Sequence, residues 1–335
     1  MAYTGSGTQA DPWVVDNLYD LITCYNAVPP ADNKVYINLD ADIDCNDYPE
    51  YRSITGDQQS WFKVNREGEY VYVDMQGHEF TNIFIFDASH YSGYFIYIDY
   101  NRHCVWSNGI LEIVNINMSQ NHGIHNYNGN YSSHVIFKNM DFRIKEYHYH
   151  TSSAVTLFQS PEMFNCVVNV DWYRSNNSKD GSVVIADNYK SYFNEFNIRV
   201  VYIGASDYGD RHSLAFSSGG DNSHFFSSVF LTSVCVKAND GYIKIQNNRN
   251  KQFNNCYFIC RNTSNSYKAL KFYFCTGGSC EVGSVNFYDA EAIAAADIDV
   301  SMVGGTLLAL DTAHCKNAQY LEQQGFVIAY DGGGS

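Results

Sequence analysis

Three sets of side chains in this sequence could do chemistry by type and spacing. Asp40, Asp42 and Asp44 alternate with apolar residues, so on a strand their carboxylates share one outward face, where oxygen ligands can hold a hard cation. His148 and His150 flank Tyr149 and would point the same way on a strand. Tripled about a threefold axis, such a pair can ligate a transition metal. Tyr36, Tyr72, Tyr97 and Tyr173 fall at outward strand positions. Apolar sugar faces stack on such rings while hydroxyls take nearby Asn and Asp.

Each set has a plainer reading. The aspartate run lacks a glycine-containing calcium loop and reads as a solvated strand face whose charge discourages aggregation. Two histidines without further ligands read as surface residues. Tyrosine is a favoured strand residue that also covers sheet surface or a subunit interface. The four tyrosines are kept as the candidate glycan-binding set. No residue is assigned as catalytic, and no metal or other cofactor is expected.

The elements that would carry these side chains repeat. An aromatic, one or two small polar residues and a short alternating strand recur from Phe137, Phe164, Phe193, Phe226 and Phe253, at spacings of 27, 29, 33 and 27 residues. A degenerate repeat of that period, strand without helix, marks a solenoid in which each repeat is one coil. The cleanest strand alternates Val35, Ile37, Leu39, Ala41, Ile43 and Cys45 inward with Tyr36, Asn38, Asp40, Asp42 and Asp44 outward. Asn/Ser/Gly-rich stretches such as 175–181 and 217–222 supply turns of variable length. The 28 Tyr and 21 Phe against 5 Pro are strand chemistry. The expected fold is all-β: a single parallel β-helix of about eight or nine coils, a rod on the order of 40 Å long at about 4.8 Å per coil.

Caps are expected at both ends, because an open solenoid edge invites stacking by other chains. Residues 1–30 read as an entry segment and a short capping helix of roughly 16–27, with Asp16 as its cap and Leu18, Leu21, Ile22 and Tyr25 on one apolar face. Residues 31–290 form the β-helix. Residues 291–335 read as a C-terminal cap: a helix over 312–324 stopped by Gly325, a strand Phe326–Tyr330 and a glycine-rich tail.

Ten cysteines include no CxxC pair, and Cys166, Cys256 and Cys260 fall at inward positions, so reduced core thiols are expected rather than a disulfide framework. The net charge of −15, without a Lys/Arg cluster, disfavours nucleic acid as a partner. No run of 18 apolar residues suggests membrane insertion, and no secretory signal is visible at the start.

With the repeats laid out, the chain resembles the pectin-lyase-like right-handed parallel β-helix superfamily, and more narrowly the β-helical fibre and spike proteins of tailed bacteriophages of gut bacteria. The opening Gly5-Ser6-Gly7-Thr8-Gln9-Ala10-Asp11-Pro12-Trp13-Val14-Val15 and the ending Asn317-Ala318-Gln319-Tyr320-Leu321-Glu322-Gln323-Gln324-Gly325-Phe326-Val327-Ile328 carry the narrower match. The resemblance covers about residues 5 to 330. It implies a virion surface protein, often a homotrimer, whose partners are other virion proteins and a bacterial surface polysaccharide or receptor. A virion protein made in the host cytoplasm needs no export signal.

The polygalacturonase branch of that superfamily carries Asn-Thr-Asp, Asp-Asp, Gly-His-Gly and Arg-Ile-Lys in order. Here Asn121-His122-Gly123 and Arg143-Ile144-Lys145 occur in that order, but the first two elements, which carry the acid and base, have no counterpart upstream. Asp210-Arg211-His212 has no nucleophile beside it, and the Asn-X-Ser/Thr matches at Asn117, Asn130, Asn176 and Asn262 are mute in a bacterial host. The expected function is therefore non-enzymatic: a fibre, spike or decoration element serving host attachment, with glycan binding its candidate activity. The alternative is a tailspike depolymerase, a polysaccharide lyase or glycoside hydrolase on the same fold. A bacterial surface adhesin is disfavoured by the missing signal and anchor.

Overall fold

The computed structural model describes residues 3–30, 32–51, 59–64, 69–86, 93–99, 102–118, 122–128, 134–145, 147–149, 155–159 and 161–175, then separate strands and two short helices as far as residue 323; side chains are described chiefly before residue 170 and within 311–323. The first fourteen strands are β1 (Trp13–Val15), β2 (Lys34–Leu39), β3 (Ile43–Asp44), β4 (Gln59–Val64), β5 (Tyr70–Asp74), β6 (Glu79–Phe86), β7 (Gly93–Asp99), β8 (His103–Met118), β9 (His122–Asn128), β10 (His134–Ile144), β11 (Tyr147–Tyr149), β12 (Val155–Gln159), β13 (Pro161–Phe164) and β14 (Val167–Ser175). Among the described residues the chain is mostly strand with little helix. The strands form one sheet of eighteen and another of nine, and the pairings between named strands are parallel.

Pairing follows the repeat. Val35, Val71, Cys104, Val135 and Pro161 are register partners in turn, separated by 26 to 36 residues. The period-two pattern is realised where side chains are described. Val35, Ile37, Leu39, Val71, Val73, Cys104 and Trp106 are buried, while Tyr36, Asn38, Tyr72, Asp74, Val105 and Ser107 are half-buried on the other face. Burial of the apolar set is the main stabilising term, roughly 1.5–3 kcal/mol for each large side chain.

The chain turns between two stretches of strand through left-handed asparagines. Asn108 within β8, Asn139 within β10 and Asn165 between β13 and β14 have φ of 58°, 52° and 49°. Asparagine tolerates this region at little steric cost. Each then bonds its neighbour: Asn165 Nδ2 donates to Asn139 Oδ1 (2.9 Å), Asn139 Nδ2 to Asn108 Oδ1 (2.8 Å) and Asn108 Nδ2 to Asp74 Oδ1 (3.0 Å). This amide ladder ties four successive strand levels along the bend.

The ladder also corrects the aromatic register. Phe137 pairs with Met163, not Phe164, and Phe193 with Phe225, not Phe226. The fixed point is the asparagine two residues after the inward side chain, as in Phe137–Asn139 and Met163–Asn165. A slip of one residue sends a side chain to the opposite face. Phe164 accordingly faces outward, with Lys138 Nζ 5.8 Å from its ring centre.

The expected eleven-residue strand Val35–Cys45 is broken at Asp40–Asp42 and ends in a 3-10 turn, Cys45–Asp47. Its aspartates are the reason. Asp42 Oδ1 accepts from the Glu79 amide (2.9 Å) and faces His78 Nδ1 (3.0 Å), and Asp44 Oδ1 accepts from Asn46 N and Asn82 Nδ2 (both 2.8 Å). The Glu79 amide first, then His78, holds the Asp42 carboxyl below its ordinary value.

The N-terminal helix α1 (Leu18–Tyr25) is shorter than expected. It is capped by Asn17 rather than Asp16, Asn17 Oδ1 accepting from the Asp20 amide at 2.9 Å. Its buried face is Leu18, Leu21, Cys24 and Tyr25, with Ile22 at the margin, because the helix packs over an aromatic cluster. Tyr25 lies 5.0 Å from Phe62 and 6.3 Å from Trp106, and Phe62 lies 5.2 Å from Phe95, ring centre to ring centre. At the other end the expected single helix is two, Thr312–Cys315 and Ala318–Gln323. Asp311 Oδ1 accepts from His314 N and Asn317 Oδ1 from Tyr320 N, so each piece carries its own cap and Asn317 interrupts the run. The Ala-rich segment 291–296 and the strand expected at 326–330 lie outside the described residues.

Candidate functional site

The outward face of β2, β5 and β8 carries the site. Residues two apart on a strand present side chains about 6.6 Å apart on one face, and in-register partners lie about 4.8 Å apart across a sheet. Rows along the pairing direction are therefore set by the register. Tyr36, Tyr72 and Val105 form one row; Asn38, Asp74 and Ser107 form the next. One row is apolar and aromatic, the other polar. Between them runs a groove of about 310 Å³ floored by the backbone at Ile37 and Val73, whose side chains are buried on the other face.

A hook formed by residues 3–13 adds Gln9 and Pro12 to the groove lining. The Tyr36 amide donates to Gly7 O (3.1 Å), and Thr4 and Val14 exchange amide–carbonyl bonds, which covers the free edge of β1. Gly5 and Gly7 have φ of 89° and 75°. A Cβ on Gly5 would lie 2.0 Å from Pro12 O, and one on Gly7 2.7 Å from the Trp13 ring. Both glycines are required by conformation and by contact. The opening motif thus has a structural purpose, and it builds the groove's end.

The aromatic wall differs from a flat platform. Tyr36 and Tyr72 are stacked on each other with centres 4.6 Å apart and planes within 6°. In the neighbouring row Tyr70 and His103 stack at 4.1 Å and 7°, and Tyr70 lies 6.4 Å from Tyr72 at 13°. In-register aromatics on a parallel sheet face one another, so each ring gives one face to its neighbour. Burial first, then Tyr36 and Tyr70, raises the Tyr72 hydroxyl above its ordinary pKa, leaving it a protonated donor at neutral pH.

Of the four tyrosines expected to bind glycans, the structure brings Tyr36 and Tyr72 together. Tyr97 is on β7 in the nine-stranded sheet, in register with Lys63 and Asn126. Tyr173 is on β14 beyond the asparagine bend, in register with Tyr147 and Tyr202. The side chains of both lie outside the described ones. Gln9, Pro12, Asn38, Asp74 and Ser107 were missed from sequence. The period-two signal placed the strand residues outward, but which row faces which follows from register.

The remaining candidate chemistry is committed elsewhere. Arg143 Nε pairs with Asp141 Oδ2 (2.8 Å) and Lys145 Nζ with Glu112 Oε1 (2.7 Å). His122 belongs to β9 of the nine-stranded sheet, whereas Arg143 is on β10 of the other. Asn121, His150, Asp210 and Arg211 are outside the described residues. Cys24, Cys45, Cys104 and Cys166 are buried and in no disulfide. Burial pushes the Cys104 and Cys166 thiols up to about 12, and Cys166 donates to the Phe164 carbonyl (3.3 Å), so neither is poised as a nucleophile. Among the described residues Asp74 is the one carboxylate lining the groove, and Gln76 N (3.0 Å) and Asn108 Nδ2 already bond it.

No protein-family model matches the chain, and neither the curated proteins nor the solved structures searched contain a match.

Proposed function

We propose that this chain is a single right-handed parallel β-helix that acts as a non-enzymatic glycan-binding element on the surface of a bacteriophage virion. The successive parallel registers with a short return between them support the coil reading. The groove between the tyrosine row and the Asn38–Asp74–Ser107 row carries the binding reading. One wall suits the C–H face of a sugar ring; the other offers an amide, a carboxylate and a hydroxyl to its hydroxyls. Glycoside hydrolysis by the usual route needs two carboxylates across the scissile bond. Among the described residues the groove lining holds one, Asp74, already engaged as a hydrogen-bond acceptor.

The test is incubation of the full chain with bacterial capsular and surface polysaccharides, followed by chain-length analysis and a cell-binding assay. Binding without shortening is expected, with Tyr72→Ala weakening it at least tenfold. Shortened glycan would replace this reading with a depolymerase, and an absence of both would leave a structural element contacting other virion proteins.

A further inference from the structure

The tyrosine stack stops after two rings. Tyr36, Tyr72, Val105 and Ile136 are register partners in turn, so the third position is held by a valine. A valine side chain ends far short of a tyrosine ring. The face of Tyr72 opposite Tyr36 therefore overhangs Val105, and among the described residues the rings against Tyr72 are Tyr36 and Tyr70 only. This step opens into the groove, whose lining there is Tyr72, Val105, Asp74 and Ser107.

The charge at the step itself is acidic. Among the described residues Asp74 is the charged side chain of the groove lining, while Lys138, the register partner of Ser107, sets its Nζ 5.8 Å from the Phe164 ring centre on the far side. A uronate or phosphate group brought to the step would meet like charge in partly desolvated surroundings. A neutral pyranose would stack its C–H face on Tyr72 about one strand spacing away, roughly 4.8 Å, in the place a third ring of the row would take.

We propose that the step over Val105 is the ring-stacking subsite of the groove and that it takes an uncharged sugar residue, with Asp74 and Ser107 accepting or donating to its hydroxyls. This rests on the glycan-binding reading above. It makes Val105, a small residue with no polar group, the position that sets specificity.

Val105→Tyr tests it. An outward tyrosine in register with Tyr72 extends an existing stack, so the fold is expected to persist, checked by circular dichroism and thermal melting. The purified chain, wild type and variant, is applied to an array of neutral hexose and N-acetylhexosamine oligomers together with uronate- and phosphate-bearing oligomers. Hits are quantified by calorimetry. The expected result is a neutral hit whose affinity falls at least tenfold in Val105→Tyr and changes less than threefold in Val105→Ala. A neutral hit untouched by Val105→Tyr in a folded protein overturns the subsite while leaving glycan binding in place. Tighter binding of an acidic oligomer overturns the ligand class. Failure of every oligomer to bind wild type overturns the glycan-binding reading, and this inference with it.

Discussion

At the scale of single residues, the most economical device is the left-handed asparagine. Asn139 does three things at once: it supplies a conformation with φ of 52°, donates to Asn108 and accepts from Asn165. Alanine there would lose both side-chain bonds and also the asparagine's tolerance of a left-handed backbone, up to about 1–2 kcal/mol for the conformation alone. With net side-chain bonds at about 0.5–1 kcal/mol each, Asn139→Ala is expected to lower unfolding free energy by about 2–4 kcal/mol. Asn139→Gly, which frees the backbone but not the bonds, is expected to lower it by about 1–2 kcal/mol. Urea denaturation distinguishes them; equal losses would show that the backbone conformation contributes nothing. The residue scale is also where sequence was least legible. Phe-Lys-Asn at 137–139 and Met-Phe-Asn at 163–165 look like different phrases until the asparagine is taken as the fixed point. An aromatic anchor misplaces Phe164 by one residue, because nothing in hydrophobicity marks a left-handed position.

At the scale of elements, alternation was well read and boundaries were not. Val35, Ile37 and Leu39 are buried as their spacing required, yet the strand stops at Asp40 because Asp42 and Asp44 satisfy groups on the following repeat, partners that are distant in sequence. Likewise Asn17, not Asp16, caps α1, a choice between adjacent competent residues that only helix geometry makes. The opening motif was visible as a resemblance, and its physical content is the hook. Gly7→Ala is expected to push the added methyl against the Trp13 ring, with a loss of about 1–3 kcal/mol. Because Gly7 O holds the Tyr36 amide, the hook should lift from the groove: Trp13 fluorescence should shift to the red and glycan binding should weaken together. Loss of stability without either change would separate the hook from the groove.

At the scale of the whole molecule, the ends decide behaviour. A stack of parallel strands buries its core between neighbours and leaves the first and last levels to find cover. Here Thr4 closes the edge of β1, and α1 buries Leu18, Leu21, Cys24 and Tyr25, with the Tyr25 ring against Phe62 and Trp106. Removing residues 1–30 would strip β1 from β2, leaving the Lys34–Leu39 backbone unpaired along one side, and would uncover the aromatic cluster. Like charge opposes association of such ends: residues 1–51 carry a net −8, from nine acids against one lysine, and deletion removes Asp11, Asp16 and Asp20 from that set. The truncated chain is therefore expected to associate through its exposed end, and more strongly as salt rises and screens the remaining charge. Light scattering coupled to size exclusion reads this directly. The full chain should keep one mass between low and high salt, whereas the truncated chain should grow in a concentration- and salt-dependent way. A truncated chain that stays at one mass under both conditions would show that the hook and α1 serve the groove alone and leave no reactive end behind them.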